Sequence, residues 1–477
     1  MSSSNLSTVV GLYGIGLDTY WPQFDGLKKR LEGYLSYAAK RLSFLDAKVV
    51  DAGLVDNPFR AQQAVELFLE ARVDAIFLFI TTYALSHNVL PVVQKIGKPV
   101  IVLNLQPEKA IQYDSFNSLG DRGKMTGEWL AYCQSCVAPE VSGVFNRAKI
   151  KFELISGYLQ EEYVWEQAAQ FVAALHVQKG MAHNRVGLLG HYYNGMLDVY
   201  SDLTQMACVF GNHFEILEMG MLKQWRSRIP EQQVVNKVID FNTAFKVSED
   251  CSSDELHRAA LTACALEELI EEHQLGSMAY YYEGIGDEDY LDMVTSLIPG
   301  FTLLTGRNVP IAGEYEVKNV QAMKIMDLLG AGGSFSEFYA MDFEEEVILL
   351  GHDGPAHFAI ADGKVGLVPL PVYHGKPGKG LSIQMKVKPG PVTLLSVCQN
   401  AEGNVYLLVA EAESINGPTL QIGNTNSRYR FNMPIRNFMN AWSKAGPSHH
   451  CAIGIGHQAG VLHKLAWLLG IDCVQIC

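Results

Sequence analysis

Four segments of this 477-residue chain set a carboxylate or an imidazole beside glycine, where the backbone can turn sharply and expose a reactive side chain. IAGEYEV (311–317) carries Glu314 after Gly313, and GGSFSEFYAMDF (332–343) carries Glu337 after the pair Gly332–Gly333. VILLGHDGP (347–355) ends an apolar run at Gly351 and His352, and GPSHHCAIGIGH (446–457) carries His449 and His450. Singly, each has an ordinary reading. A glutamate at a helix start is favoured by the helix dipole, and a histidine after a strand is commonly a hydrogen-bonded loop residue. Together they supply two carboxylates and two imidazoles, donors that suit Mn²⁺, Co²⁺, Fe²⁺ or Zn²⁺. Four such donors on a six-coordinate ion leave two positions, which two neighbouring oxygens of a substrate can fill.

The elements that must position these groups fall into three stretches. The first alternates strand and helix: strands over 9–15, 47–52, 73–80 and 99–104, with helices over 23–42, 58–71 and 84–96. Continuous apolar strands of this kind belong to a buried parallel sheet. Ligand-facing loops then lie at the carboxyl ends of its strands, at 14–21, 81–83 and 104–106. A second such stretch starts near Asn184, with strands over 185–190 and 277–284 and helices over 194–204, 254–273 and 317–329. Beyond about residue 330, glycine, proline and short alternating apolar runs mark a β-rich region, closed by a helix over 458–469. The polar segment 424–432 reads as a loop or an edge. The expected fold is therefore α/β: two doubly wound Rossmann-like α/β domains, 1–183 and 184–328, followed by a β-rich, barrel-like C-terminal domain, 329–477.

Composition removes several function classes. With 48% hydrophobic and 18% charged residues, the chain can bury a large core. A net charge of −14 argues against nucleic acid as the main partner. No apolar run is long enough to span a bilayer, and no signal peptide is legible, so a cytoplasmic protein without a membrane partner is expected. Nine scattered cysteines make a poor disulfide framework; the single tight pair, Cys133 and Cys136, reads as ordinary reduced thiols. GIGHQAG (454–460) imitates a dinucleotide loop but lacks the acidic residue that should follow. Tyr280 to Tyr282 read as strand core or pocket wall, and FEEEV (343–347) as a solvated face. His374 is a rival ligand without a glycine-flanked partner, and His357 should point to the opposite strand face from His352.

The run GEYEVKNVQAMKIM, then GGSFSEFY, then ILLGH, then the histidine pair, resembles the metal core of bacterial L-arabinose isomerases. That family shows a Gly-Glu-x-acidic stretch, a Gly-Thr-Ser-Phe-Met-Glu-Asp-Tyr-like stretch, a Leu-Gly-x-His strand end and a later His-His pair. The resemblance implies that Glu314, Glu337, His352 and His450 hold Mn²⁺ or another divalent ion (Co²⁺, Mg²⁺, Fe²⁺ or Zn²⁺). It implies that Glu314 and Glu337 also serve as acid–base groups, and that His449 binds the substrate. The implied reaction interconverts an aldose and its 2-ketose through an enediol. A homo-oligomer is implied as well, commonly a hexamer with active sites where subunits meet.

The sugar-contacting loops depart from the family. Its Gly-Ser-Gln-His-Leu-Tyr-Gly loop is here GIGLDTYWPQF, which puts Asp18, Tyr20 and Trp21 at that position, and its His-Thr-Phe is here Thr81, Thr82 and Tyr83. Asp18, Tyr20 and Tyr83 are thus expected substrate contacts, and the sugar is open: L-arabinose, an L-fucose-like sugar, a hexose, or a modified or anionic aldose. A non-catalytic sugar-binding protein is the alternative of another class. A zinc hydrolase would need a water-activating motif such as HExxH, which the sequence lacks.

Overall fold

The structure, a computed structural model, describes residues 7–284, 286–373 and 377–477. The chain forms two compact units, residues 2–176 and 177–477.

The first unit is built on a five-stranded parallel sheet. Its strands are β1 (Thr8–Ile15), β2 (Ala47–Val55), β3 (Ala75–Phe79), β4 (Val100–Gln106) and β5 (Phe152–Tyr158), in the order β2-β1-β3-β4-β5. All five residues of β3 are buried, as a strand covered by helices on both faces requires. The helix Pro58–Ala71 begins where Asn57 accepts a hydrogen bond from the Arg60 amide, and proline fills its first position. The strand order reverses between β1 and β3. Asp18–Tyr20 follows β1 as a 3₁₀ turn, and Thr81–Tyr83 follows β3, so both loops flank the crevice at that switch point. The Thr81 hydroxyl donates to the Ile15 carbonyl and ties the two strand ends together.

The second unit holds three sheets. Its strands are β6 (Arg185–Gly190), β7 (His213–Leu217), β8 (Lys246–Val247), β9 (Ser277–Tyr281), β10 (Ile311–Ala312), β11 (Gly332–Asp342), β12 (Val347–His352), β13 (Gly366–Leu370), β14 (Gly380–Gln384), β15 (Gly390–Gln399), β16 (Val405–Ile415), β17 (Thr425–Phe431), β18 (His450–Ile455) and β19 (Asp472–Gln475). A parallel sheet runs β10-β9-β6-β7. The order β15-β18-β11-β12-β17-β16 closes through a β15–β16 pairing into a six-stranded antiparallel barrel, with β19 added in parallel to β16. β13 pairs with β14 and β8 in a small third sheet. Two Rossmann-like parallel sheets followed by an antiparallel barrel is the expected fold class. No described helix is long and apolar enough to cross a membrane.

Three local expectations are corrected. There is no α-helix over 194–204: a 3₁₀ turn, Leu197–Val199, comes first, and the helix starts at Leu203 because the Asp202 carboxylate caps the amides of Thr204 and Gln205. The segment 424–432 is no loop or edge but holds β17, paired on both sides with β12 and β16. Its polar residues Asn424 to Arg428 are buried; Ser427 Oγ accepts from the Val387 amide at 2.8 Å, and the Arg428 guanidinium pairs with Glu345. His357 does not sit on a strand face. β12 stops at His352, and His357 Nδ1 caps the next turn by accepting from the Ala359 amide at 3.2 Å.

Candidate metal centre

Three neighbouring barrel strands and one loop carry the site. In the antiparallel register Glu337 on β11 faces Gly351 on β12 and His450 on β18, which brings His352 at the end of β12 beside them. Along β18, Cys451 and Ile453 join the barrel core, so the two-residue period turns His450 to the other face. There the buried Phe335 ring lies 4.3 Å from the His450 ring and 4.4 Å from the His352 ring. Phe335 thus wedges both imidazoles from behind.

Glu314 arrives from outside the barrel, on the turn between β10 and the helix Val317–Leu328. Both Glu314 and Tyr315 are left-handed, at φ 57° and 58°. Such a conformation costs a non-glycine residue roughly 1–2 kcal/mol, and paired instances of this kind cluster at functional sites. The turn is over-determined: the Tyr315 amide donates to the Tyr280 carbonyl at 3.0 Å and the Glu316 amide to Gly313 at 2.9 Å. The helix that follows buries every residue from Val317 to Met326, which leaves the turn little freedom.

Two overlapping donor groups result. Glu314, His449 and His450 form one, and Glu337, His352 and His450 the other, each with ligand atoms within 4.8 Å of one another. Glu314 Oε2 lies 3.3 Å from His450 Nε2 and 3.4 Å from His449 Nε2. Burial alone would raise the Glu314 carboxyl, but His449, His450 and His352 outweigh it and hold the group below its ordinary value. Neither ring nitrogen of the buried His450 makes a well-formed hydrogen bond, and neither does Glu314 Oε2. Buried polar atoms converging without partners, with carboxylate and imidazole chemistry, fit a divalent cation.

Two contributing residues escaped the sequence reading. Glu316 is fully buried, with Oε2 3.6 Å from His450 Nδ1 and Oε1 3.9 Å from Lys318 Nζ. It backs the imidazole as a carboxylate behind a ligand histidine does. The acidic residue two places after Glu314 was its signal. Asp198 had none: its carboxylate meets the His449 ring from a segment remote in sequence.

The expected substrate residues of the first unit gather at its own crevice. Asp18 is exposed, and Tyr20 packs edge-on against Phe24. Burial pushes the Tyr20 hydroxyl up, with Tyr83, Cys133 and Cys136 close enough to add to the effect. The Tyr83 hydroxyl is raised chiefly by the Glu140 carboxylate. All nine cysteines are free thiols. His374 lies outside the described residues.

A closed antiparallel barrel bearing a carboxylate–imidazole cluster defines the class: a β-barrel domain with a candidate divalent-metal centre on its outer face. Residues 332–472, which span that barrel, match the family model of the L-arabinose isomerase C-terminal domain. The match supports membership in the L-arabinose isomerase family, and with it an aldose–ketose isomerase family and a place in carbohydrate metabolism. No curated protein matches the chain.

Proposed function

We propose that the protein is a metal-dependent aldose–ketose isomerase of the L-arabinose isomerase type. The observation that carries this reading is that two donor groups, Glu314–His449–His450 and Glu337–His352–His450, meet at His450, each with ligand atoms within 4.8 Å of one another. A divalent ion there, Mn²⁺ by family likeness, supplies Lewis acidity that polarises the sugar carbonyl and stabilises enediolate charge. His352 and His450 would hold it as neutral imidazoles, with the buried Glu316 carboxylate behind His450. One of the two glutamates takes the proton from C2 of the aldose and returns it to C1. The other moves a proton between the two oxygens, so one C–H bond breaks, one forms, and no co-reactant is consumed. His449, beside Glu314 and 38% exposed, reaches the substrate oxygens.

The choice of sugar rests on groups other than the metal donors. Asp18, Tyr20 and Tyr83 stand where the family carries other groups, so the candidate aldoses extend beyond L-arabinose to L-fucose-like sugars, hexoses and modified or anionic aldoses. Family likeness also supports a homo-oligomer, a hexamer with sites at subunit interfaces.

The test is ketose formation by chelator-stripped protein, with and without added Mn²⁺, over pentoses, hexoses and modified or anionic aldoses. Turnover of one sugar only when metal is restored is the expected result. Sugar binding without turnover on the whole panel would make the protein a binder and overturn the isomerase reading.

A further inference from the structure

Asp198 lies in an exposed turn, yet it is held more firmly than its surroundings require. Val199 beside it is fully buried. The buried Lys318 Nζ donates to the carbonyls of Asp198 and Tyr200, which pins the turn to the first residues of the helix that follows Glu314. Tyr192 packs at 4.9 Å on Tyr200 and at 4.8 Å on Tyr315, so the same turn is clamped to the strained Glu314–Tyr315 pair. Thus fixed, Asp198 Oδ2 accepts twice from one residue: from the His449 amide at 3.0 Å and from His449 Nδ1 at 2.6 Å. The opposite ring nitrogen, Nε2, then faces Glu314 Oε2 at 3.4 Å.

A histidine has two nitrogens, and the bond made by one decides what the other can do. With Nδ1–H given to a carboxylate, Nε2 is the atom presented to the site, and the ring can neither flip nor swing away. We infer that Asp198 is a positioning residue for the reaction, fixing the orientation and Nδ1-protonated form of His449 so that Nε2 addresses Glu314 and the substrate oxygens. This rests on the isomerase reading only for its consequence in turnover; the orientation of His449 is a property of the protein without metal or sugar.

The experiment has two arms. In the first, Asp198→Asn and His449→Ala are assayed singly and together, with metal content and Tm recorded. Asp198→Asn should lower kcat by ~10–100-fold, the usual scale for a residue acting through another in a metal site, with metal content unchanged and a cooperative thermal transition retained. Because Asp198 acts through His449, adding Asp198→Asn to His449→Ala should change kcat by no more than about twofold. An undiminished loss in the His449→Ala background overturns the proposal. In the second arm, the metal-free protein with ¹⁵N-labelled histidine is observed by NMR. A protected Nδ1–H resonance of His449 is expected in the wild type and its loss in Asp198→Asn. Persistence of that resonance in the variant overturns the proposal. If the wild type turns over no aldose, the isomerase reading fails by itself, and the NMR arm still decides the role of Asp198.

Discussion

The substitution with most at stake is Glu314→Gln. Glutamine keeps the shape of the side chain, and the left-handed turn beneath it is a backbone feature that the change does not touch. What disappears is the negative charge 3.3 Å from His450 Nε2 and 3.4 Å from His449 Nε2. Two losses follow, and they separate by metal concentration. Losing an acid–base group costs ~10²–10⁴ in kcat whatever the metal occupancy. Losing an anionic donor weakens the ion's hold by a further factor of at least ~10–100, the scale seen even for outer-sphere partners. At limiting Mn²⁺ the two multiply to ~10³–10⁶; at saturating Mn²⁺ only the first remains. The assay is ketose formation over a Mn²⁺ titration, with bound metal measured by elemental analysis. A variant whose kcat at saturating Mn²⁺ stays within tenfold of wild type would refute Glu314 as an acid–base group. Unchanged metal affinity would refute it as a ligand.

Two other outcomes follow from the same geometry. Burial works against the His449 imidazolium, but the neighbouring carboxylates of Glu314 and Asp198 outweigh it and raise the group from 6.5 to about 9. A raised histidine contributes stability in full below its unfolded value and loses it as pH climbs through the folded one. The urea midpoint of metal-free protein should therefore fall between pH 6.5 and 9, and His449→Gln should abolish that slope; equal slopes would sink the assignment. Gly351→Ala would place a Cβ 2.0 Å from the Thr425 carbonyl oxygen, within the β12–β17 ladder next to His352. It should cost about 3 kcal/mol or more and weaken metal binding, measured by urea melts and a Mn²⁺ titration; retention of both would show that the strands have slack.

Much of the frame was legible because local signals agreed with tertiary demand. The helix Pro58–Ala71 has its asparagine cap and its proline, so its start could be read closely. β3 was visible as an unbroken apolar run. β17 was not, because a barrel strand rich in polar residues imitates a loop. Its burial becomes plausible only once Val387 and Glu345, distant in sequence, are seen to satisfy it. The absent helix over 194–204 failed for a related reason: its apolar spacing was real, but Val199 is consumed in fixing a turn and Asp202 restarts the helix. Asp198 could not be found at all. An aspartate in a turn looks the same whether it faces water or the Nδ1 of a histidine.

The centre is also divided along the chain in a way that bears on its chemistry. The barrel, which the family model spans, contributes Glu337, His352, His449 and His450. Glu314, Glu316 and Asp198 all come from the parallel-sheet part that precedes it, from loops at the carboxyl ends of β10 and β6. Those loops reach the barrel through the helix Val317–Leu328, which packs against β11, β15 and β18 and carries Lys318 at its start. A small rotation of that helix would move Glu314, Glu316 and the Asp198 anchor together, while Glu337 and His352 stayed with the barrel. Full burial of the helix from Val317 to Met326 resists such a rotation. The polar residues on it serve the same end: Gln321 accepts from Asn212 at 2.7 Å, and Lys324 grips Asp327 and the Asn308 carbonyl. Buried polar groups so placed set the helix in one rotation among several that apolar packing alone would allow, and that rotation is the one in which both halves of the donor set meet.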